Sequence, residues 1–401
     1  MGCGAAVQGC GGDSGTKVIA NGGRSGGAGK GGAGEAGEAG AQAGAAGEGA
    51  AASAGADNGG ASGENAGGAS GEAGSSGEAG AAGEAGAAGI GTADWHLWVL
   101  DRAKSHLYGY APSQLQATNG DAPAIDITLA DLPTNLVNTH LEFDAQGNLW
   151  IGDLDTYRFN AADLKVTGTA HLAAILKNIG GNYGRVAFDP AGNLWRSIYT
   201  SPALTRFNAA AIAGLSTTAT ILVPDFSVTS ASDYPIEFDE AGNLYTGVYA
   251  TQGATTGPNF FGRYNAAQLV GNGTTADPAV LSTLPRYDAL DIARTTNGAF
   301  VLANGSATLT RYTKAQMAQS GVNLALTPDA QFTIDAPVVP AVIRVAADPD
   351  GNLYVSETAA RVLKLSSADV AQTGTFTVVP AMTLRAQASD TNAQFQGIAV
   401  H

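Results

Sequence analysis

The sequence predicts an all-β chain folded as a six-bladed β-propeller with four-stranded antiparallel blades, preceded by a disordered segment rich in glycine and alanine. One phrase, FDAQGNLWIGD at 143–153, returns in near-copies that begin at Phe188, Phe238 and Ala347. A second phrase, YRFNAADL at 157–164, returns three times in step with the first. All 15 prolines and every Phe, Trp and Tyr follow residue 91, which marks the start of the folded part.

The composition divides the chain into two unlike parts. Residues 1–91 hold 33 of the 56 glycines and no proline or aromatic residue. Burial cannot offset the entropy lost on ordering such a segment, so we predict a disordered tether over 1–91 and one propeller domain over 92–401. The formal charge of −15 is shared by both parts. This charge favours a soluble monomer and argues against nucleic acid as a partner, because phosphate binding needs clustered Lys and Arg.

The start of the chain suggests where the protein works. Val7-Gln8-Gly9-Cys10 resembles the end of a bacterial lipoprotein signal, in which the cysteine becomes the lipidated residue. The basic and apolar regions of such a signal are missing from the sequence. Three explanations stay open: the recorded start is too late, the signal was removed, or the match is chance. We expect a secreted or cell-envelope protein that meets the membrane only through a lipid anchor at Cys10.

The first repeated phrase has the pattern of two strands joined by a tight turn. Leu141-Glu142-Phe143 alternates apolar, polar and apolar, as a short strand does. Asp144 can accept hydrogen bonds from the turn backbone, and Gly147 supplies a positive φ without steric cost. A return strand then begins at Leu149. The phrase is therefore mostly turn chemistry and needs no catalytic explanation.

The turn glycines set the length of the repeat. Further copies of the turn are degenerate: LDIARTTNGAFVL places Asn297 at the equivalent position with one extra turn residue, and DWHLWVLDRA surrounds Trp95. Successive turns are roughly fifty residues apart, the length of one propeller blade. The intact copies have their turn glycine at Gly147, Gly192, Gly242 and Gly351.

The second phrase indicates the rest of each blade. It has the pattern of a third strand followed by a helical turn, and an apolar run such as Thr220-Ile-Leu-Val or Phe376-Thr-Val-Val then suits a fourth strand. Six such units fit residues 93–401. The first, at His96-Leu-Trp-Val, opens with a second strand, and Gln396-Gly-Ile-Ala-Val-His401 supplies the missing first strand. We therefore expect the two ends to pair and close the ring.

The blade phrases, most clearly GNLYVSETAARVLKLS at 351–366, resemble NHL-repeat proteins and the gluconolactonase/senescence-marker-like and virginiamycin-B-lyase-like propellers. The lactonase resemblance implies a divalent metal, Ca or Mg, held by residues that precede the first strands. Only Asp288 and, loosely, Gln396 suit that role here. The lyase resemblance implies a repeated histidine–glutamate constellation, of which His140 and Glu142 are an isolated pair.

The loops before first strands and after second strands should share one face around the central channel, the usual ligand site of a propeller. We call it the loop face. Its aromatic and charged residues suit a small molecule, a glycan or a protein partner. The predicted ligand-binding residues are His140, Tyr183, Arg185, Tyr234, Tyr287, Asp288 and Arg344.

A second candidate site lies inside the channel. The middle residues of the first strands are expected to be small, yet three of the six are carboxylates: Glu142, Glu237 and Asp291. If they converge, each raises the pKa of its neighbours unless a cation intervenes. One hypothesis is an oxygen site for Ca or Mg. The alternative is ion pairing with Arg185 and Arg344, or solvation in a wet channel.

These observations favour a binding module over an enzyme, and no residue is assigned a catalytic role. The alternative is a metal-dependent lactonase-like hydrolase or a lyase that acts in the channel. Stabilisation by a divalent ion would favour the alternative, because a ligand of the native state must raise its stability.

Overall fold

The computed structural model describes residues 94–401 apart from short gaps. Residues 1–91, and with them Cys10 and the predicted domain boundary, lie outside the described residues. The gaps within the folded part are 119–121, 138, 178–183, 198–203, 215–219, 225–230, 233–234, 251–258, 271–272, 276–279, 285–290, 304–306, 325, 336–341, 358–359 and 386–392.

The described residues form 29 strands. Those of the first half of the folded part are, in chain order, β1 (Leu97–Asp101), β2 (His106–Tyr110), β3 (Ile125–Leu129), β4 (His140–Phe143), β5 (Leu149–Gly152), β6 (Thr156–Phe159), β7 (Gly168–Ala170), β8 (Leu172–Leu176), β9 (Val186–Phe188), β10 (Leu194–Ser197), β11 (Leu204–Phe207), β12 (Thr220–Pro224), β13 (Ala231–Ser232), β14 (Ile236–Phe238) and β15 (Leu244–Ala250). Those of the second half are β16 (Asn259–Tyr264), β17 (Gly273–Thr275), β18 (Val280–Leu284), β19 (Asp291–Arg294), β20 (Phe300–Ala303), β21 (Thr308–Tyr312), β22 (Gly321–Leu324), β23 (Ala330–Ile334), β24 (Val342–Ala347), β25 (Leu353–Glu357), β26 (Arg361–Leu365), β27 (Gly374–Val378), β28 (Met382–Arg385) and β29 (Phe395–Val400).

Short helical turns follow the third strand of each blade, as the second repeated phrase predicts. None exceeds five residues, and among the described residues no helix is long and apolar enough to cross a membrane. Three are 3₁₀ turns, at Pro112–Leu115, Ala161–Leu164 and Ala266–Leu269. Three are α-helical, namely α1 (Ala209–Ala213), α2 (Lys314–Met317) and α3 (Ser367–Val370).

The strands assemble into six antiparallel blades, which confirms the predicted six-bladed propeller. The innermost strands contact each other in the closed order β29, β4, β9, β14, β19, β24 and back to β29. From the channel outward, the blades are β29-β1-β2-β3 (blade 1), β4-β5-β6-β8 (blade 2), β9-β10-β11-β12 (blade 3), β14-β15-β16-β18 (blade 4), β19-β20-β21-β23 (blade 5) and β24-β25-β26-β28 (blade 6).

Blade 1 closes the ring, as predicted, because its innermost strand comes from the end of the chain. β1 pairs with β29 in an antiparallel register that sets Trp98 opposite Ala399. The backbone N–H of His96 donates to the carbonyl of His401 at 2.7 Å, and the N–H of His401 donates back at 3.1 Å. The closure gives β1 a partner on both of its edges, β29 on one side and β2 on the other.

Hydrogen bonds explain why the first phrase recurs. The carboxylate of Asp144 accepts from the backbone N–H groups of Gln146 and Asn148 and from the indole N–H of Trp150, at 2.9–3.0 Å. The side chain of Asn148 in turn accepts from the N–H of Ala161, the first residue of the next helical turn. The same pairs recur as Asp189 with Trp195, Asp239 with Tyr245 and Asp348 with Tyr354.

The turn of blade 5 differs from our expectation. We predicted Asn297 at the turn position with one extra residue, but Gly298 occupies it, with φ +75°, and the turn has the ordinary length. Thr295 and Ala299 replace the aspartate and asparagine of the other copies. Without those two residues, the sequence alone did not fix the alignment of this blade.

The second phrase connects neighbouring blades at three junctions. Its arginine lies on the third strand and reaches a carbonyl at the end of the next blade's helical turn, where unpaired carbonyls attract cations. Arg206 donates to the carbonyl of Leu269 at 2.9 Å. Arg263 and Arg311 donate in the same way to Met317 and Val370.

A fifth strand reinforces several blade junctions. The segment between the helical turn and the fourth strand pairs in parallel with the outermost strand of the preceding blade. We predicted Phe376-Thr-Val-Val as a fourth strand. This segment instead lies in β27, a reinforcing strand that pairs with β23, and the fourth strand of blade 6 is β28. Thr220-Ile-Leu-Val is a fourth strand, as predicted. The reinforcing pairs are β3 with β7, β12 with β17, β18 with β22 and β23 with β27.

The core is divided among the blade junctions. Trp98, Leu149 and Tyr157 are buried together between blades 1 and 2. Val301, Phe332 and Val355 form the corresponding cluster between blades 5 and 6. Each blade therefore buries its apolar faces against two neighbours, which is why six repeats are stable where one is not.

Candidate functional site

The strand register defines two rings of residues around the channel. The mouth ring holds the residue of each blade that has the same register position as His140, in the innermost strand or just before it. The inner ring lies two residues further along the same strands. The mouth ring is His140, Arg185, Pro235, Asp291, Arg344 and Gly397, and the inner ring is Glu142, Ala187, Glu237, Ala293, Ala346 and Ala399.

This register corrects the predicted ring of three carboxylates. Asp291 pairs with Ala303, just as His140 pairs with Gly152, so it belongs to the mouth ring. Ala293 takes the inner-ring position of blade 5. The error has the same origin as the one at Asn297, because the degenerate turn hides the alignment of that blade.

The charged side chains of the mouth ring meet across the channel. Nε2 of His140, from blade 2, lies 3.8 Å from Oδ1 of Asp291, from the opposite blade 5. A guanidinium nitrogen of Arg185, from blade 3, lies 4.0 Å from the same oxygen. Oδ2 of Asp291 accepts from the backbone N–H of Val345 at 2.9 Å. Two of the predicted ligand-binding residues, His140 and Arg185, thus meet at the carboxylate of Asp291, a predicted metal-site residue.

Arg344 joins the group from blade 6. Its Nε donates to the carbonyl of Thr139 in blade 2 at 2.9 Å, so the side chain passes blade 1. The mouth-ring residue of blade 1 is Gly397, which carries no side chain. A Cβ on Gly397 would lie 2.8 Å from Cγ of Leu141, so this position tolerates only glycine without a shift of its neighbour.

Burial controls the charge of the mouth ring. Burial, and then the guanidinium groups of Arg185 and Arg344, lower the pKa of His140 well below its usual range, so the imidazole is neutral near pH 7. Burial raises the pKa of Asp291, while the same two arginines act in the opposite direction. Both arginines are almost fully buried, with 1–2 % of their surface exposed. The side chains of the mouth ring therefore form a buried, polar cluster.

The inner ring carries two carboxyl groups, Glu142 and Glu237. Burial, followed by the charges of Glu237 and Asp291, raises the pKa of Glu142 well above its usual range. Burial raises the pKa of Glu237 to about 7, with Arg294 acting in the opposite direction. The pair therefore retains a proton near neutral pH.

The predicted ion pairs and the predicted metal site meet different outcomes. Asp291 has Arg185 beside it, as the ion-pair alternative requires. In the part of the chain that the structure describes, no group of three or more His, Cys, Asp or Glu side chains is arranged to hold a metal ion. A Ca or Mg site at Glu142, Glu237 and Asp291 stays a prediction.

Several predicted residues lie outside the described part of the loop face, namely Tyr183, Tyr234, Tyr287 and Asp288. The structure also reveals partners that no sequence signal marked. The hydroxyl of Ser197 accepts from the backbone N–H of Arg185 at 3.0 Å, and the carbonyl of Thr139 anchors Arg344. In five blades the inner-ring residue lies opposite an aromatic residue of the second strand, which is a sequence signal for the two rings, but in blade 5 Val301 takes that position.

No family model and no curated protein matches the chain. Among solved structures, it is similar to virginiamycin B lyase from Staphylococcus aureus, with 12% identity, a TM-score of 0.38, and 58% of this chain and 68% of that chain covered. It is also similar to regucalcin, a calcium-binding protein from Agrobacterium tumefaciens, with 12% identity, a TM-score of 0.40, and 58% and 72% covered. Apo AztD from Citrobacter koseri has 9% identity and a TM-score of 0.40, with 73% and 81% covered. The fold assignment rests on the sheet topology.

Proposed function

We propose that the protein is a binding module that takes a polar ligand at the loop face, over the mouth ring. One observation carries the proposal: Oδ1 of Asp291 is buried without a protein hydrogen-bond partner, although His140 and Arg185 face it. Buried polar atoms of native proteins nearly always have a partner. A ligand whose hydroxyl or amine groups enter the mouth ring supplies one.

The distances suit a group inserted between the side chains. The contacts of Oδ1 of Asp291 to His140 and Arg185, at 3.8 and 4.0 Å, are too long for direct hydrogen bonds. A hydroxyl can donate to the carboxylate and accept from a guanidinium at the same time. The ligand class is therefore a hydroxyl-rich small molecule, a sugar unit of a glycan, or a polar side chain of a protein partner.

The cellular setting is part of the proposal. A secreted or envelope-anchored propeller on a tether rich in Gly, Ala and Glu would present its loop face to partners away from the membrane. The support is Cys10 and the composition of residues 1–91. Metabolic labelling with a palmitate analogue tests the anchor: label on the wild type and none on Cys10→Ser supports it, and label on both counts against it.

The experiment for the binding site uses a matched histidine pair. The full chain is screened by thermal unfolding against sugars, polyols and organic acids at millimolar concentration, and ligands that raise the Tm are titrated by calorimetry. We expect His140→Gln to weaken their binding about tenfold, because a loss of this size is typical when a buried hydrogen bond is removed. His171→Gln, at an exposed position, should bind like the wild type. Equal affinity in both variants would contradict a site at the mouth ring.

A metal-dependent hydrolase or lyase is the second candidate, and one observation favours it. The charge of Glu237 raises the pKa of Glu142 in the inner ring, and a divalent cation beside the two carboxyl groups would favour their ionised forms. The enzyme is favoured if calcium or magnesium raises the Tm of the wild type and supports hydrolysis of a sugar lactone, and if both effects are lost in Glu142→Gln. No effect of either ion favours the binding module.

A further inference from the structure

His96 and His401 face each other across the seam that closes the ring. Their backbones exchange both hydrogen bonds, at 2.7 and 3.1 Å, and the register continues the pairing of Leu97 with Val400. Residues that are directly opposite in an antiparallel pair have their side chains on the same face, with Cβ atoms about 5 Å apart. The two imidazoles therefore start from neighbouring points on one side of blade 1.

Each imidazole contacts an aromatic side chain between blades 1 and 2. The ring of His96 lies 5.8 Å from that of Trp98, and the ring of His401 stacks on Phe143 at 4.5 Å. Trp98 and Phe143 contact each other at 5.7 Å. Both histidines are partly exposed, so an ion from solvent can reach them.

We propose that His96 and His401 form a binding site for a divalent transition-metal ion of the Zn²⁺, Ni²⁺ or Cu²⁺ class. Imidazole nitrogen is a preferred ligand of these ions and binds them at about 2.0–2.1 Å. Two imidazoles on adjacent strands supply two positions of the coordination sphere, and water completes it. Ca²⁺ and Mg²⁺ prefer oxygen ligands and are not bound by this pair.

A metal ion bound by this pair would link the two strands that close the ring. His96 precedes β1 and His401 follows β29, so a bound ion joins the strands contributed by the two ends of the folded part. These residues are close together only in the folded protein. The ion must therefore stabilise the native state, and the gain rises with its concentration. The site is independent of the channel and of the proposed ligand.

The test measures the metal-induced change in Tm for the untagged full chain, with ZnCl₂ or NiCl₂ and with CaCl₂ as the comparison. We expect a rise of several degrees with zinc or nickel, lost in both His96→Ala and His401→Ala because one imidazole alone binds weakly. His171→Ala and His106→Ala, whose histidines contact Asp131 and Asp126 on the surface, should keep the full rise.

A second measurement is independent of stability, since His401→Ala also removes the stack on Phe143. Electron paramagnetic resonance of bound Cu²⁺ should show two coupled nitrogens in the wild type and no more than one in His96→Gln or His401→Gln. An unchanged rise in Tm in His96→Ala, or a two-nitrogen spectrum that survives either glutamine variant, would overturn the proposal.

Discussion

Nε2 of His140 lies 3.8 Å from Oδ1 of Asp291, although the two residues belong to opposite blades of the ring. Side chains of the mouth ring therefore meet in the middle of the channel. Glu142 and Glu237 belong to the inner ring, two residues beyond the mouth-ring positions of their own blades. They lie behind this layer as seen from the loop face. A ligand arriving at the loop face contacts the mouth ring first.

Asp291→Asn tests the charge balance of the mouth ring. The amide oxygen can still accept from Val345, but the substitution removes the carboxylate that Arg185 and Arg344 share. Breaking a buried ion pair on one side leaves an uncompensated charge, so we expect a loss of about 3 kcal/mol in the free energy of unfolding, measured with urea.

The control for that variant is Asp131→Asn, because Asp131 is 61% exposed and pairs with the exposed His171. A surface pair of this kind contributes little, and we expect a change within about 0.5 kcal/mol. Equal losses in the two variants would show that the mouth ring does not depend on the charge of Asp291.

Glu237→Gln tests the protonation of the inner ring. The pKa of Glu237 is raised from 4.5 to about 7, so between these values the folded chain holds a proton that the unfolded chain has released. Stability from this group is present at low pH and is lost as the pH rises through that window. We expect the variant to be more stable than the wild type at pH 8, by about 1–3 kcal/mol, and similar to it at pH 4.

Thermal unfolding across that pH range checks this expectation. Asp163→Asn is the control, because Asp163 is an exposed acidic residue of the helical turn Ala161–Leu164. A difference between Glu237→Gln and the wild type that is the same at every pH would exclude a raised pKa as its cause.

Gly192→Ala tests the turn of the repeated phrase. Gly192 has φ +78°, and the nearest atom to an added Cβ is 3.8 Å away, so there is room for the methyl group and the cost is conformational. We expect a loss of about 1–2 kcal/mol in the free energy of unfolding. Gly168→Ala, in open space and without a positive φ, should not destabilise the protein. Similar losses at both positions would mean that the turn does not require glycine.

Two truncations test the domain boundary and the ring closure. Removal of residues 1–91 should leave a soluble domain with a Tm close to that of the full chain, and aggregation of 92–401 would place the boundary elsewhere.

Removal of 396–401 deletes most of β29 and its pairing with β1, so we expect the cooperative thermal transition to be lost. A normal transition in that variant would contradict closure by these strands.

The sequence predicted best those features that a few neighbouring residues determine. Asp144, Gly147 and Asn148 form a turn with bonds that span at most a few residues, and the same chemistry recurs wherever the phrase does. Where the phrase degenerates, at Thr295 and Ala299, the alignment failed and Asp291 was assigned to the wrong ring. The role of β27 was missed for another reason, because its partner is an outer strand of the preceding blade.

The sequence by itself determined the repeat, its turn chemistry, the number of blades and the pairing of the two ends, because strand periodicity and turn residues are local and their count is additive. Only the tertiary structure decided which side chains share the channel. The contact between His140 and Asp291, and the route of Arg344 past Gly397, depend on the register of separate blades and on the space that a neighbour leaves. Those distances join residues far apart in the chain, and no local pattern encodes them.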